Sequence, residues 1–128
     1  MSDAKNPVGW FEIPVTDINR AKQFYESMLN IEMQLVDLGD LKMCWFPSSM
    51  ASYGSSGALV QQTDNYKPSA DGGVVIYLSC DDVNISLNKA KEMNASIIQD
   101  KKQISPEHGF MGLLIDSEGN RIALHSNQ

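Results

Sequence analysis

Four residues carry most of the chemistry this sequence offers: Glu12, Gln61, Tyr77 and His125. Each lies in a short strand-like run, at matched positions in two halves of the chain. A carboxylate, an amide, a phenol and an imidazole converging in a cleft would supply a base, an acid and two substrate anchors, with Glu12, His125 and Tyr77 the catalytic candidates. The same set offers a divalent ion two sound ligands, Glu12 and His125, with Gln61 a weak third and Tyr77 a poor fourth. The plainer alternative is that Glu12 and His125 form a buried hydrogen-bonded pair, which a sheet interior tolerates once both partners are satisfied.

These residues are positioned by an internal repeat. Asp17 matches Asp82 at a spacing of 65 residues, and the same spacing sets Ile18 on Val83, Asn19 on Asn84, Ala21 on Ser86, Met28 on Met93, Glu12 on Tyr77 and Ile13 on Leu78. Each copy reads as a strand, a capping Asp and then a helix. Ile18, Ala21, Phe24, Tyr25, Met28 and Leu29 recur at the three-and-four spacing of one apolar helical face behind the N-cap Asp17. In the second copy Asp81 or Asp82 caps, and Val83, Leu87, Ala90 and Met93 or Asn94 repeat the stripe. Before the helices lie strands at 9–15 and 73–79. Alternation puts Phe11, Ile13 and Val15 toward the helix and leaves Trp10, Glu12 and Pro14 on the opposite face.

Three more strands follow each helix, at about 32–38, 41–46 and 57–62, and at about 96–102, 109–115 and 121–125. Leu38-Gly39-Asp40 reads as a tight turn and Asp116-Ser117-Glu118-Gly119-Asn120 as a hairpin turn. The closing strands align at a spacing of 64, which sets Leu59 on Ala123 and Gln61 on His125. The segment 65–73, with Pro68 and two glycines, links the copies. The expectation is an α+β fold of one domain, residues 1–128: two paired βαβββ modules, about 7–64 and 72–127, forming a curved, mostly antiparallel sheet with helices outside and a concave cleft. Clefts of this kind favour small-molecule ligands.

Around the polar set, Trp10, Trp45 and Phe46 could stack on a planar ligand, and Met43, Met50 and Met111 would give an adaptable apolar wall. The loop 48–56 has the composition of a lid. His108 reads as a solvated loop histidine, and Cys44 and Cys80, each in an apolar stretch, read as buried thiols.

The bulk composition narrows the partners. A net charge of −6 leaves no basic field for a phosphate backbone, so nucleic acid is not expected. No apolar run approaches the roughly 20 residues that span a bilayer, and Met1-Ser2-Asp3-Ala4-Lys5 lacks a signal-peptide layout. A cytoplasmic protein without a membrane partner is the expectation.

The run Trp10-Phe11-Glu12-Ile13-Pro14-Val15-Thr16-Asp17, then Ala21, Phe24-Tyr25, Asp82-Val83 and Asp116-Ser117-Glu118-Gly119-Asn120-Arg121-Ile122-Ala123-Leu124-His125, resembles the vicinal oxygen chelate superfamily of glyoxalases, bleomycin-resistance proteins and extradiol dioxygenases. The resemblance implies a divalent metal held from the first and last strands of each module, at positions that here are Trp10, Leu59, Val75 and Ala123. None of these side chains can bind one. It also implies a homodimer. Three readings follow: a small-molecule-binding protein whose cleft, lined by Trp10, Glu12, Trp45, Gln61, Tyr77 and His125, lacks the usual metal ligands; a lyase or glyoxalase-like enzyme, or dioxygenase relative, using Glu12 and His125 with one divalent metal or as an acid–base pair; and a non-catalytic drug-sequestering protein.

Overall fold

The computed structural model describes residues 6–49 and 51–128; Met50 of the expected apolar wall and the first five residues lie outside them. The elements run β1 (Phe11–Pro14), α1 (Ile18–Leu29), β2 (Gln34–Asp37), β3 (Lys42–Trp45), β4 (Gly57–Gln61), β5 (Ile76–Ser79), α2 (Val83–Glu92), β6 (Ser96–Ser105), β7 (Gly109–Ile115) and β8 (Arg121–Ser126). This is the α+β arrangement of two βαβββ modules. Its strands divide into two open four-stranded sheets, β1-β4-β3-β2 and β5-β8-β7-β6. In each sheet the first strand runs parallel to the last strand of its module and the other pairs are antiparallel. β1 and β5 are edge strands, and no ladder among the described residues joins one sheet to the other.

Both helices start as their sequence dictates. The Asp17 carboxylate, on extended backbone, accepts from the Arg20 N–H at 3.1 Å. Of the two candidates in the second copy it is Asp82 that caps, accepting from the Asn84 N–H at 2.9 Å. Ile18, Ala21, Phe24, Tyr25 and Met28 are buried on α1, and Val83, Ser86, Leu87 and Ala90 on α2. α1 packs on β3 and β4, α2 on β6, β7 and β8, and the helices also pack on each other. One core cluster therefore holds Tyr25, Met28 and Leu59 together with Leu78, Leu87, Leu114 and Leu124. Each such side chain contributes roughly 1.5–3 kcal/mol when fully buried.

The register of the closing strands corrects the sequence alignment. Phe11 pairs with Gly57 and Ile76 with Ile122, so the closing strands keep the spacing of 65 rather than 64. The counterpart of Ala123 is thus Ala58, not Leu59, and that of His125 is Val60, not Gln61. A slip of one residue reverses the face of every side chain in a strand. Leu59 is in the core, and the Gln61 side chain turns to α1, where its Oε1 accepts from the Ile18 N–H at 2.8 Å. Its true counterpart, Ser126, does the same for α2: Ser126 Oγ accepts from the Val83 N–H at 3.1 Å. β6 also runs on to Ser105, beyond the expected end near Lys102, through three register shifts of the kind bulges produce.

The 116–120 hairpin clasps the first module. Gly119 supplies the positive φ of 91°. Oε1 of Glu118 accepts from the N–H groups of Thr16 and Asp17, both at 2.9 Å, and Oε2 from Arg20 Nε at 2.7 Å. Asp116 accepts from the buried hydroxyl of Tyr25, and Asn120 Nδ2 donates to the Pro14 carbonyl at 2.7 Å. Burial pushes the Glu118 carboxyl up, but the donors of Arg20, Asp17, Thr16 and Ser117 outweigh it and hold the pKa at about 2. Burial, followed by the charge of Asp116, lifts the Tyr25 phenol well above its ordinary range. Among the described residues nothing similar stands 65 residues earlier, where Tyr53 takes the place of Glu118 and is 97% exposed.

Candidate functional site

On each sheet one face meets a helix and the other does not. Cross-strand pairing sets the helix-free residues in rows. On the first sheet Glu12, Ala58 and Trp45 form one row and Pro14, Val60 and Met43 the next. On the second sheet the equivalent rows are Tyr77, Ala123 and Leu113, then Ser79, His125 and Met111. Ala58 and Ala123 are fully buried.

Trp10, Trp45 and Tyr77 stand on these faces 47%, 40% and 54% exposed, while Met43 and Met111 are half-buried. Phe46, the third aromatic expected to stack, is instead core, in contact with Phe11 and Tyr25. A groove of about 570 Å³ between the modules is lined by Phe11, Phe46, Tyr53, Ile76, Tyr77 and Leu78. Tyr53 to Ser56, from the 48–56 loop, form part of its wall.

The four polar residues do not converge. Glu12 is exposed, accepting from the Tyr66 hydroxyl at 2.5 Å and from Trp10 Nε1 at 3.3 Å. The first of these bonds, ahead of burial, raises the pKa of Tyr66. His125 lies on the other sheet, with Nε2 2.7 Å from the His108 carbonyl. A carbonyl only accepts, so Nε2 carries the proton and Nδ1 is the one lone pair left to bind or act as a base. Among the described residues no hydrogen bond or ion pair joins Glu12 to His125, so the buried-pair alternative fails. Gln61 is spent on α1, and Tyr77 is exposed. His108 is exposed as expected, its Nδ1 2.7 Å from Ser105 Oγ. Cys44 and Cys80 are free thiols, and burial raises both, Cys44 to about 11.

A divalent ion does not fit this donor set. The four first-choice positions, with the register corrected, hold Trp10, Ala58, Val75 and Ala123. The next ring holds Glu12, Val60, Tyr77 and His125, which leaves one carboxylate and one imidazole on separate sheets. No group of three His, Cys, Asp or Glu gathers among the described residues, whereas a protein-held divalent site commonly needs three or four donors.

Paired βαβββ modules presenting an aromatic, helix-free face define the class of protein. The profile of the Glyoxalase/Bleomycin resistance protein/Dioxygenase superfamily matches residues 8–124, and the chain belongs to that family. It is similar in fold to TnmS3, an antibiotic binding protein from Streptomyces sp. CB03234, at 22% identity, 99% of this chain and 100% of that one, with a TM-score of 0.70. It is also similar to trypanothione-dependent glyoxalase I from Leishmania major, at 18% identity, 96% and 88% coverage and a TM-score of 0.68. Against glyoxalase I from Zea mays the identity is 15% and the TM-score 0.67, with 99% of this chain spanning 48% of that one. A search of curated proteins finds no match. No helix among the described residues is long and apolar enough to cross a membrane.

Proposed function

We propose that this protein binds a planar, largely apolar small molecule on its helix-free faces, without a metal and without turnover. The observation that carries this reading is the exposure of Trp10, Trp45 and Tyr77 on the helix-free faces. Large aromatic side chains left in water gain most when a ligand covers them. Glu12, Ser79 and His125 Nδ1 add a few polar groups that would orient such a molecule. The antibiotic-binding relative supports a binding role over catalysis. We further infer one domain, residues 1–128, working as a homodimer in the cytoplasm, where free Cys44 and Cys80 would stay reduced.

Tryptophan fluorescence during titration with Nile red, a neutral planar dye, tests the reading. Saturable binding is expected, weakened about tenfold by Trp45→Ala and by Tyr77→Ala, in line with roughly 1.4 kcal/mol per stacked ring. Binding that never saturates, or that ignores both substitutions, overturns it. So does stoichiometric divalent metal in the purified protein that is lost in Glu12→Ala and His125→Ala, the result a metal-dependent lyase would give. Sedimentation velocity on the same samples reports the assembly, and a monomer throughout would remove the dimer.

A further inference from the structure

A second cavity, of about 360 Å³, is lined among others by Glu12, Pro14, Lys67, Val74, Asn120 and Arg121, residues of both modules and of the linker. It is set apart by an arginine side chain without an ion-pair partner among the described residues. The chain has only two arginines among 16 acidic residues. Arg20 is taken up by Glu118, whereas Arg121 forms no ion pair among the described residues and its Nε is buried with no protein acceptor. Arg121 is half-buried, and a buried donor without an acceptor costs more than an ordinary lost hydrogen bond, so an acceptor reaching Nε from outside the chain would be favoured.

The surroundings favour an anion. The β8 ladder holds Arg121 opposite Ile115, and its own N–H donates to the Ser69 carbonyl at 3.3 Å, which anchors the backbone beneath the cavity. Lys67, exposed on the linker, brings a second cation to the same wall. Glu12, the one carboxylate on the wall, is already held by Tyr66 and Trp10. A guanidinium fork with a neighbouring ammonium matches the oxygens of a carboxylate or phosphate. We propose that this cavity seats the anionic group of a small molecule, a carboxylate or a phosphate, on Arg121 and Lys67.

The test is a titration of the ¹⁵N-labelled protein with acetate and, separately, inorganic phosphate, at constant ionic strength set by chloride, following arginine Nε–H resonances. Only two such resonances exist, and the one lost in Arg121→Lys belongs to this site. That resonance should shift along a saturating curve at roughly millimolar anion. Lys67→Ala should weaken the binding several-fold, and Glu12→Gln, which removes a like charge across the cavity, should tighten it several-fold. The tighter of the two anions identifies the group as carboxylate or phosphate. Shifts that stay linear with both anions, or that are unchanged in Lys67→Ala and Glu12→Gln, overturn the proposal. Both of those positions are exposed. Should Arg121→Lys fail to fold, sequential assignment of the parent identifies the resonance instead.

Discussion

At the scale of single residues, Glu118 has the largest consequence. Its carboxylate is held at a pKa of about 2 against an ordinary 4.5. A depressed acid stabilises the fold fully above its unfolded pKa, and that stabilisation is lost as pH falls from about 4.5 through 2. Its side chain is wholly buried while Arg20 is half in water, which places the contribution at about 2–3 kcal/mol. Glu118→Gln should therefore lower the Tm clearly at pH 7, and the gap to the parent should close as the pH is brought toward 2.5. A gap that does not change with pH would refute this account. The hairpin was legible in the sequence as a turn, but its partners were not, since Thr16 and Arg20 lie 102 and 98 residues away. Arg121 was not legible for a related reason: a cation without an ion pair among the described residues is recognised only once the carboxylates around it are placed.

Among the elements, β4 shows where sequence reading breaks down. Both helices were legible from their period and capping acids, and β1 from its alternation. In β4, by contrast, Gly57, Ala58, Leu59 and Val60 are all buried, so no apolar-polar alternation marks which face is which. A spacing of 64 then fits the sequence as well as the true 65, and it puts Gln61 at the site instead of at the start of α1. A usable signal was present: position 61 and its true counterpart 126 both carry a side-chain oxygen, as a shared capping role requires. Gln61→Ala should consequently cost about 1 kcal/mol in urea unfolding, the usual worth of a helix cap, and leave Nile red affinity unchanged. Loss of affinity with no loss of stability would return Gln61 to the site.

For the whole molecule, the repeat is a duplication of architecture and not of attachment. The expected modules and their order were legible because the spacing of 65 recurs in strand, cap and helix. Their separation into two sheets was not, because edge-strand pairing depends on contacts that leave no local pattern. The second hairpin grips the start of α1, while its counterpart around Tyr53 makes no such bonds among the described residues. In hydrogen exchange the amides of Thr16 and Asp17 should accordingly be slowed at least about tenfold relative to those of Asp81 and Asp82. Equal rates at the two places would contradict this.

That one-sided clasp makes the molecule a book bound along a single spine. Thermal breathing should part the halves at the Tyr53 margin first and leave the Asn120 margin nearly still. A guest too broad for the resting gap would then come and go by the loose margin, and its residence time would follow the opening rate there.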